Sequence, residues 1–208
     1  MTQPHQPGAE PAATPDPGLA DPDPAHSELA AEIDRNAALI ISALSEQGRT
    51  VAIAESLTGG MVSASLVAIA GASAVLRGAV VAYATTLKKD ILGVDPDLLS
   101  ANGPVDPDVA AQMAAGVREL MGADFGLATT GVAGPGPADG APAGRVFVAV
   151  AGVLPKVPDL ATDQDFYRPV GHGEVTARVR RLDLSGDRAA VRLGATAQVL
   201  DLLVEVGR

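Results

Sequence analysis

From residue 27 onward, short apolar runs rich in β-branched residues alternate with segments whose apolar residues recur every three or four positions. Only a few residues separate one kind of segment from the next. Alternation of this kind implies a layered α/β domain, with helices on both faces of a mostly parallel sheet. The strands are expected at 50–54, 79–83, 125–130, 145–151 and 175–182. A first helix is expected over 27–47, with Ser27 as its N-cap and Leu29, Ile33, Ala37, Ile40 and Leu44 as its buried stripe. A small-residue helix over 61–70 follows. A short helix carrying Lys88 and Lys89, capped by Thr85 or Thr86, comes after it, and Asp106-Pro107 opens a longer helix that ends at Gly122. The last helix buries Val191, Ala195, Val199, Leu202 and Val206. Residues 1–26 are rich in Pro, Ala, Gly and Asp without apolar period and are expected to be disordered, while 152–173 reads as a polar, variable loop. The domain proper is therefore 27–208.

What the chain lacks narrows its chemistry. There is no cysteine, so no thiol nucleophile and no thiolate metal site. The three histidines are His5, His26 and His172, too few and too scattered for a multi-histidine metal site, and a Ser-His-Asp triad would rest on His172 alone. No metal and no cofactor are expected. The net charge is −10, and Glu10, Asp16, Asp21, Asp23 and Glu28, with no Lys or Arg before residue 29, account for half of it. Nothing resembles the basic stripe of a nucleic-acid binder, no apolar run approaches the roughly 20 residues of a membrane span, and the N-terminus has no secretory signal pattern. A cytoplasmic protein acting on a small molecule, without nucleic-acid or membrane partners, is the expectation.

In open α/β sheets ligands lie beyond the carboxyl ends of the strands. The residues expected there are Glu55-Ser56 with Thr58, Gly59 and Gly60; Tyr83 with Lys88 just beyond; Thr130, which opens a glycine-rich loop over 131–144; and the turn Ser185-Gly186-Asp187-Arg188. They supply a hydroxyl, a lysine, a phenol, an anion-friendly loop and an arginine. A serine becomes a competent nucleophile when a neighbouring base takes its proton, and a lysine can be that base when burial keeps it neutral. Each cluster also has a plainer reading: Ser56 or Thr58 as an N-cap, the two lysines as a solvated helix face, Tyr83 as an edge of the core, and the 185–188 turn as a helix cap with nothing bound.

Four motifs in this order and at these spacings, E-S-L-T-G-G at 55–60, Tyr83 through Lys88 to Gly93-Val94, T-G-V-A-G-P at 130–135, and S-G-D-R at 185–188, resemble the CinA C-terminal domain family over residues 30–203. Members of that family act as nicotinamide-nucleotide amidohydrolases. The resemblance implies an α/β/α sandwich that hydrolyses the carboxamide of nicotinamide mononucleotide to nicotinate mononucleotide and ammonia. It implies Ser56 as the nucleophile, Lys88 as its base and Tyr83 as their assistant. Thr130 falls at a site-associated position, and Gly131, Gly134 and Gly136 would line the nucleotide pocket. Arg188 is matched to the phosphate mainly by its charge. Backbone N–H groups near Thr58 to Gly60, or in the glycine loop, would hold the oxyanion. Glu55, Thr58, Gly59 and Gly60 complete the substrate-side set. A homodimer is expected from the same resemblance.

The chain departs from the family pattern at Ala84, Thr85, Thr86 and Leu87, where S-N-E-A is usual, and at Gly103-Pro104-Val105-Asp106, where G-A-V-S is usual. Its 152–173 loop is longer, and no molybdopterin-binding-like domain precedes the motifs in these 208 residues, so no pyrophosphatase activity is expected. Two other functions fit the same crevice: a non-catalytic nucleotide-sensing or protein-interaction module, and an amidase for a different nucleotide amide.

Overall fold

The computed structural model describes residues 24–154, 165–170 and 175–207. The expectations for the tail before residue 24, for most of the 152–173 loop and for His172 lie outside the described residues. Strands β1 (Val51–Glu55), β2 (Leu76–Val81), β3 (Phe125–Gly131), β4 (Arg145–Gly152), β5 (Asp165–Pro169) and β6 (Thr176–Asp183) form one sheet in the order β2-β1-β3-β4-β6-β5. The pairings of β1 with β2 and with β3 are parallel, while β3–β4, β4–β6 and β5–β6 are antiparallel. Four of the six strands therefore run the same way. The antiparallel flank has a physical cause in the sequence: the 131–144 connection is glycine- and proline-rich without helical period, so no crossover helix is available and the chain turns straight back.

Helices α1 (Pro24–Gln47), α2 (Met61–Val67), α3 (Ala72–Val75) and α7 (Arg188–Val206) cover one face. On the other lies α6 (Pro107–Met121), accompanied by α4 (Thr85–Asp90) and α5 (Pro96–Asn102). The α/β/α layering is thus as expected. The strands are asymmetric across their two faces, since Val51, Ile53, Phe125, Leu127, Val146 and Val148 pack under α1 and α7, whereas Ala52, Ala54, Ala128, Ala149 and Ala151 face α6. Alanines on that side let α6 come close. The approach is so tight that a Cβ at Gly126 would stand 1.9 Å from the Ala114 carbonyl oxygen, and one at Gly116 would stand 1.8 Å from that of Leu92.

Three caps differ from expectation. Helix α1 begins at Pro24, which places Ser27 inside it, and α4 starts after Ala84 with no side-chain cap, so neither Thr85 nor Thr86 caps it. The small-residue helix stops at Val67, and Gly71 precedes the separate short α3. Asp106 does cap α6, accepting from the N–H groups of Asp108 and Val109, the job a serine does at such a position. The segment read as a loop contains β5, whose buried Asp165 is paired with Arg178 and Arg180 of β6. Arg180 also reaches Asp201 and Glu205, which ties the end of α7 to this edge of the sheet.

Candidate active site

After β1 the chain crosses through α2 and α3 to β2 on one side, then through α4, α5 and α6 to β3 on the other. The order therefore switches at the carboxyl end of β1, where a crevice opens. Ser56 stands there. The turn that follows it is held from three directions. Glu55, fully buried, accepts hydrogen bonds from the backbone N–H groups of Gly60 (2.8 Å), Val62 (3.2 Å) and Ser63 (2.9 Å) and from Ser63 Oγ (2.9 Å). Arg192 of α7 donates to the carbonyls of Leu57 (3.1 Å) and Thr58 (2.8 Å), and the Thr58 hydroxyl meets that of Thr129 at 2.8 Å. Gly59 and Gly60 have φ of 60° and 99°, so the chain can only turn this sharply without side chains there.

These bonds decide which backbone donors are left. The Gly59 N–H is bound to the Ser56 carbonyl and the Gly60 N–H to Glu55, so the start of α2 is closed by the protein's own carboxylate. The N–H groups of Leu57 and Thr58, and those of Ala133 and Gly134 in the glycine loop, have no acceptor among the described residues. Of these, Leu57, Ala133 and Gly134 line the pocket, so the donors available to an oxyanion lie one residue past Ser56 and in the glycine loop, rather than at Gly59 and Gly60.

A cavity of ≈ 180 Å³ brings together Ser56, Tyr83, Gly131, Gly134, Gly136 and Arg188, with Leu57, Val132, Ala133, Ala138 and Asp139 completing its wall. Arg188, the first residue of α7, bridges it, donating to the Gly134 carbonyl and to the Tyr83 hydroxyl, each at 3.1 Å. Three of its five N–H donors are left for a ligand. Gly131 sits where the glycine loop closes on β4, and a Cβ there would lie 2.6 Å from the Arg145 carbonyl oxygen. Glu55, Thr58, Gly59, Gly60, Lys88 and Thr130 do not line the cavity. The Thr130 hydroxyl instead donates to the Pro104 carbonyl at 2.6 Å, which joins β3 to the 103–106 turn.

Lys88 is the largest fully buried side chain, 1 % exposed, with its ammonium donating to the Ala82 carbonyl at 3.2 Å. The Ala82 N–H in turn donates to the Glu55 carbonyl, so the lysine lies at the ends of β2 and β1, beside the Ser56 turn. Burial lowers its pKa from 10.5 to about 8, against an opposing attraction from Asp139. No hydrogen bond joins Ser56 Oγ to Lys88 Nζ, and Ser56 Oγ has no partner among the described residues. The one hydrogen bond the lysine makes among the described residues is the one to Ala82. Catalytic hydrogen bonds are commonly longer before substrate binds.

Two residues of this region were not read from the sequence as site residues. Arg192 lies one turn beyond Arg188, so both arginines rise from one face of α7, a spacing visible in the sequence. Asp139, with Gly140, is the tip of a two-residue hairpin in which Ala138 and Ala141 exchange backbone hydrogen bonds, and both central residues have positive φ, 49° and 75°. Asp-Gly is a strong sequence signal for that turn. A larger cavity, ≈ 650 Å³, lies beside α6, among Leu92, Gln112, Glu119 and the Asp108–Arg168 ion pair, and contains none of the expected site residues. Among the described residues there is no group of three or more His, Asp or Glu placed to hold a metal ion, and no helix is long and apolar enough to cross a membrane.

A three-layer α/β/α domain with a serine at the sheet's switch point, a buried lysine beside it and a glycine loop opposite is the class the fold and site define. The CinA C-terminal domain family model matches residues 33–158, and the chain belongs to that family. It is 43% identical over 165 residues to a CinA-like protein of Frankia casuarinae, covering 79% of this chain and 33% of that protein. With a CinA-like protein of Gloeobacter violaceus it shares 41% over 174 residues, 83% of this chain and 36% of that one. The chain thus spans about a third of the length of the curated relatives it matches. Among solved structures, the competence/damage inducible protein CihA of Agrobacterium tumefaciens superposes with a TM-score of 0.70 at 31% identity, covering 85% of this chain and 96% of that one. A CinA superfamily protein of Escherichia coli gives 0.68 at 26% identity, covering 84% and 90%.

Proposed function

We propose that the protein hydrolyses the carboxamide of nicotinamide mononucleotide to nicotinate mononucleotide and ammonia. The observation that carries this reading is Lys88, buried and with its pKa lowered to about 8, next to the turn that presents Ser56 to a pocket. Burying a lysine is costly, and a base that is partly neutral near physiological pH is what that cost provides. Ser56 Oγ attacks the amide carbon while its proton passes to neutral Lys88. The N–H group of Leu57, with that of Ala133 or Gly134 in the glycine loop, stabilises the oxyanion. Collapse breaks the C–N bond, Lys88 returns the proton to the departing ammonia, and water then attacks the acyl-enzyme to release the carboxylate and restore the serine. Tyr83, its hydroxyl held by Arg188, stands at the exposed mouth of the pocket, where it borders the bound nucleotide.

At ≈ 180 Å³ the pocket is below the roughly 300 Å³ at which small-molecule sites begin, a size for the ring and its amide. The ribose and phosphate then extend across the exposed mouth, where Arg188 stands. The glycine loop, Arg188 and the match to the family's motifs support a nucleotide over an unrelated amide. The test is a panel of nucleotide and non-nucleotide amides offered to purified protein, with products identified by mass. Conversion of nicotinamide mononucleotide is expected to exceed that of the others. Preferential turnover of another amide would make the protein an amidase of different specificity, and tight binding without turnover would make it a nucleotide sensor.

A further inference from the structure

The pocket contains a carboxylate that nothing spends. Asp139 lines it together with Ser56 and Arg188, yet its side chain makes neither an ion pair nor a hydrogen bond with any described residue. Its position is fixed by the backbone, since the Asp139-Gly140 tip has positive φ at both residues and the flanking Ala138 and Ala141 are bonded to each other in both directions. The charged groups that share its surroundings are Lys88, on which it acts through space, and Arg188 on the same wall. The pocket therefore holds fixed charges of opposite sign.

We infer that Asp139 selects the positively charged ring of the substrate, pairing with a cationic pyridinium while Arg188 takes the phosphate at the mouth. The inference rests on the amidohydrolase reading and adds a charge requirement to it. A nucleotide with a cationic ring and an anionic phosphate complements both ends of the site, whereas the same nucleotide with a reduced, neutral ring leaves Asp139 unpaired. There is a mechanistic consequence for Lys88. A cation bound at Asp139 cancels the attraction that favours the protonated amine and puts a like charge beside it, so substrate binding favours the neutral base.

The test uses Ser56→Ala protein, which binds without acyl transfer, titrated calorimetrically at low ionic strength with nicotinamide mononucleotide and with its reduced, neutral-ring form. The same titrations are made on Ser56→Ala with Asp139→Asn, a change that removes the charge while asparagine keeps the turn. Because Asp139 stands at an exposed turn, the cationic form is expected to bind about fivefold tighter, and the Asn variant to bind both within about twofold. A ratio unchanged by Asp139→Asn, or no binding of either ligand, overturns the inference. Ammonia release by the wild-type protein is read separately: its absence alongside charge-selective binding would defeat the hydrolysis reading while supporting the role of Asp139.

Discussion

Replacing Lys88 with methionine is expected to make the protein more stable and inactive. A fall in pKa from 10.5 to about 8 corresponds to about 3 kcal/mol by which burial disfavours the charged side chain at neutral pH. Methionine fills a similar volume without that penalty. The Ala82 carbonyl loses its donor, which costs about 1 kcal/mol. The net gain is about 2 kcal/mol near pH 7, read as a higher urea midpoint with unchanged slope. The folded-state pKa lies below the unfolded one, so between pH 8 and 10.5 the unfolded wild-type chain carries the extra proton. Wild-type stability therefore rises with pH across that window. The advantage of methionine should shrink by about 2 kcal/mol between about pH 7 and about pH 9.5, while groups common to both proteins cancel in the comparison. A variant destabilised equally at both pH values, or a gain that does not change with pH, would refute the premise that this lysine is held near neutrality by burial.

Three further outcomes follow from the site. If Lys88 acts as the base, it must be neutral to accept the serine proton, so kcat/KM should rise about tenfold from about pH 7 to about pH 9, with an inflection near 8; a flat profile would assign the proton to another group. Glu55→Gln puts an amide donor among four donors that converge on a buried carboxylate, and urea unfolding should show a loss of about 2–4 kcal/mol. A loss under about 1 kcal/mol would mean the turn does not depend on that cap. Arg188→Ala should raise KM about tenfold with little change in kcat, since its place is at the mouth beside Tyr83 and Gly134 rather than at the reacting carbon.

The layered α/β order was legible because apolar periodicity and short connections agree along most of the chain. Helix α6 is the clearest instance, with Asp106-Pro107 at its start, a buried face at helical spacing and Gly122 at its end. Strand β5 was hidden because it is an edge strand with a polar face: Asp165 points inward to buried arginines, so its pattern carries no apolar alternation. For the site, residue type revealed which side chains were chemically useful but not how each was used. Glu55, the residue before Ser56, was expected on the substrate side, yet its carboxylate closes the start of α2. Thr58 and Thr130 likewise spend their hydroxyls on Thr129 and Pro104. The two threonine assignments depend on contacts between residues more than twenty positions apart, whereas that of Glu55 depends on how the turn right after it folds back. Asp139 was legible in principle, because Asp-Gly between two alanines is a hairpin signal, but the many glycines around it read as one undivided loop.

The most direct measurement of the central claim is the rate of ammonia release from nicotinamide mononucleotide by the wild-type protein beside Ser56→Ala at the same concentration. The expected result is steady turnover by the wild type, with nicotinate mononucleotide formed in equal amount, and a fall of more than about a thousandfold in the alanine variant. Equal rates in the two proteins, or no release by the wild type, would contradict it.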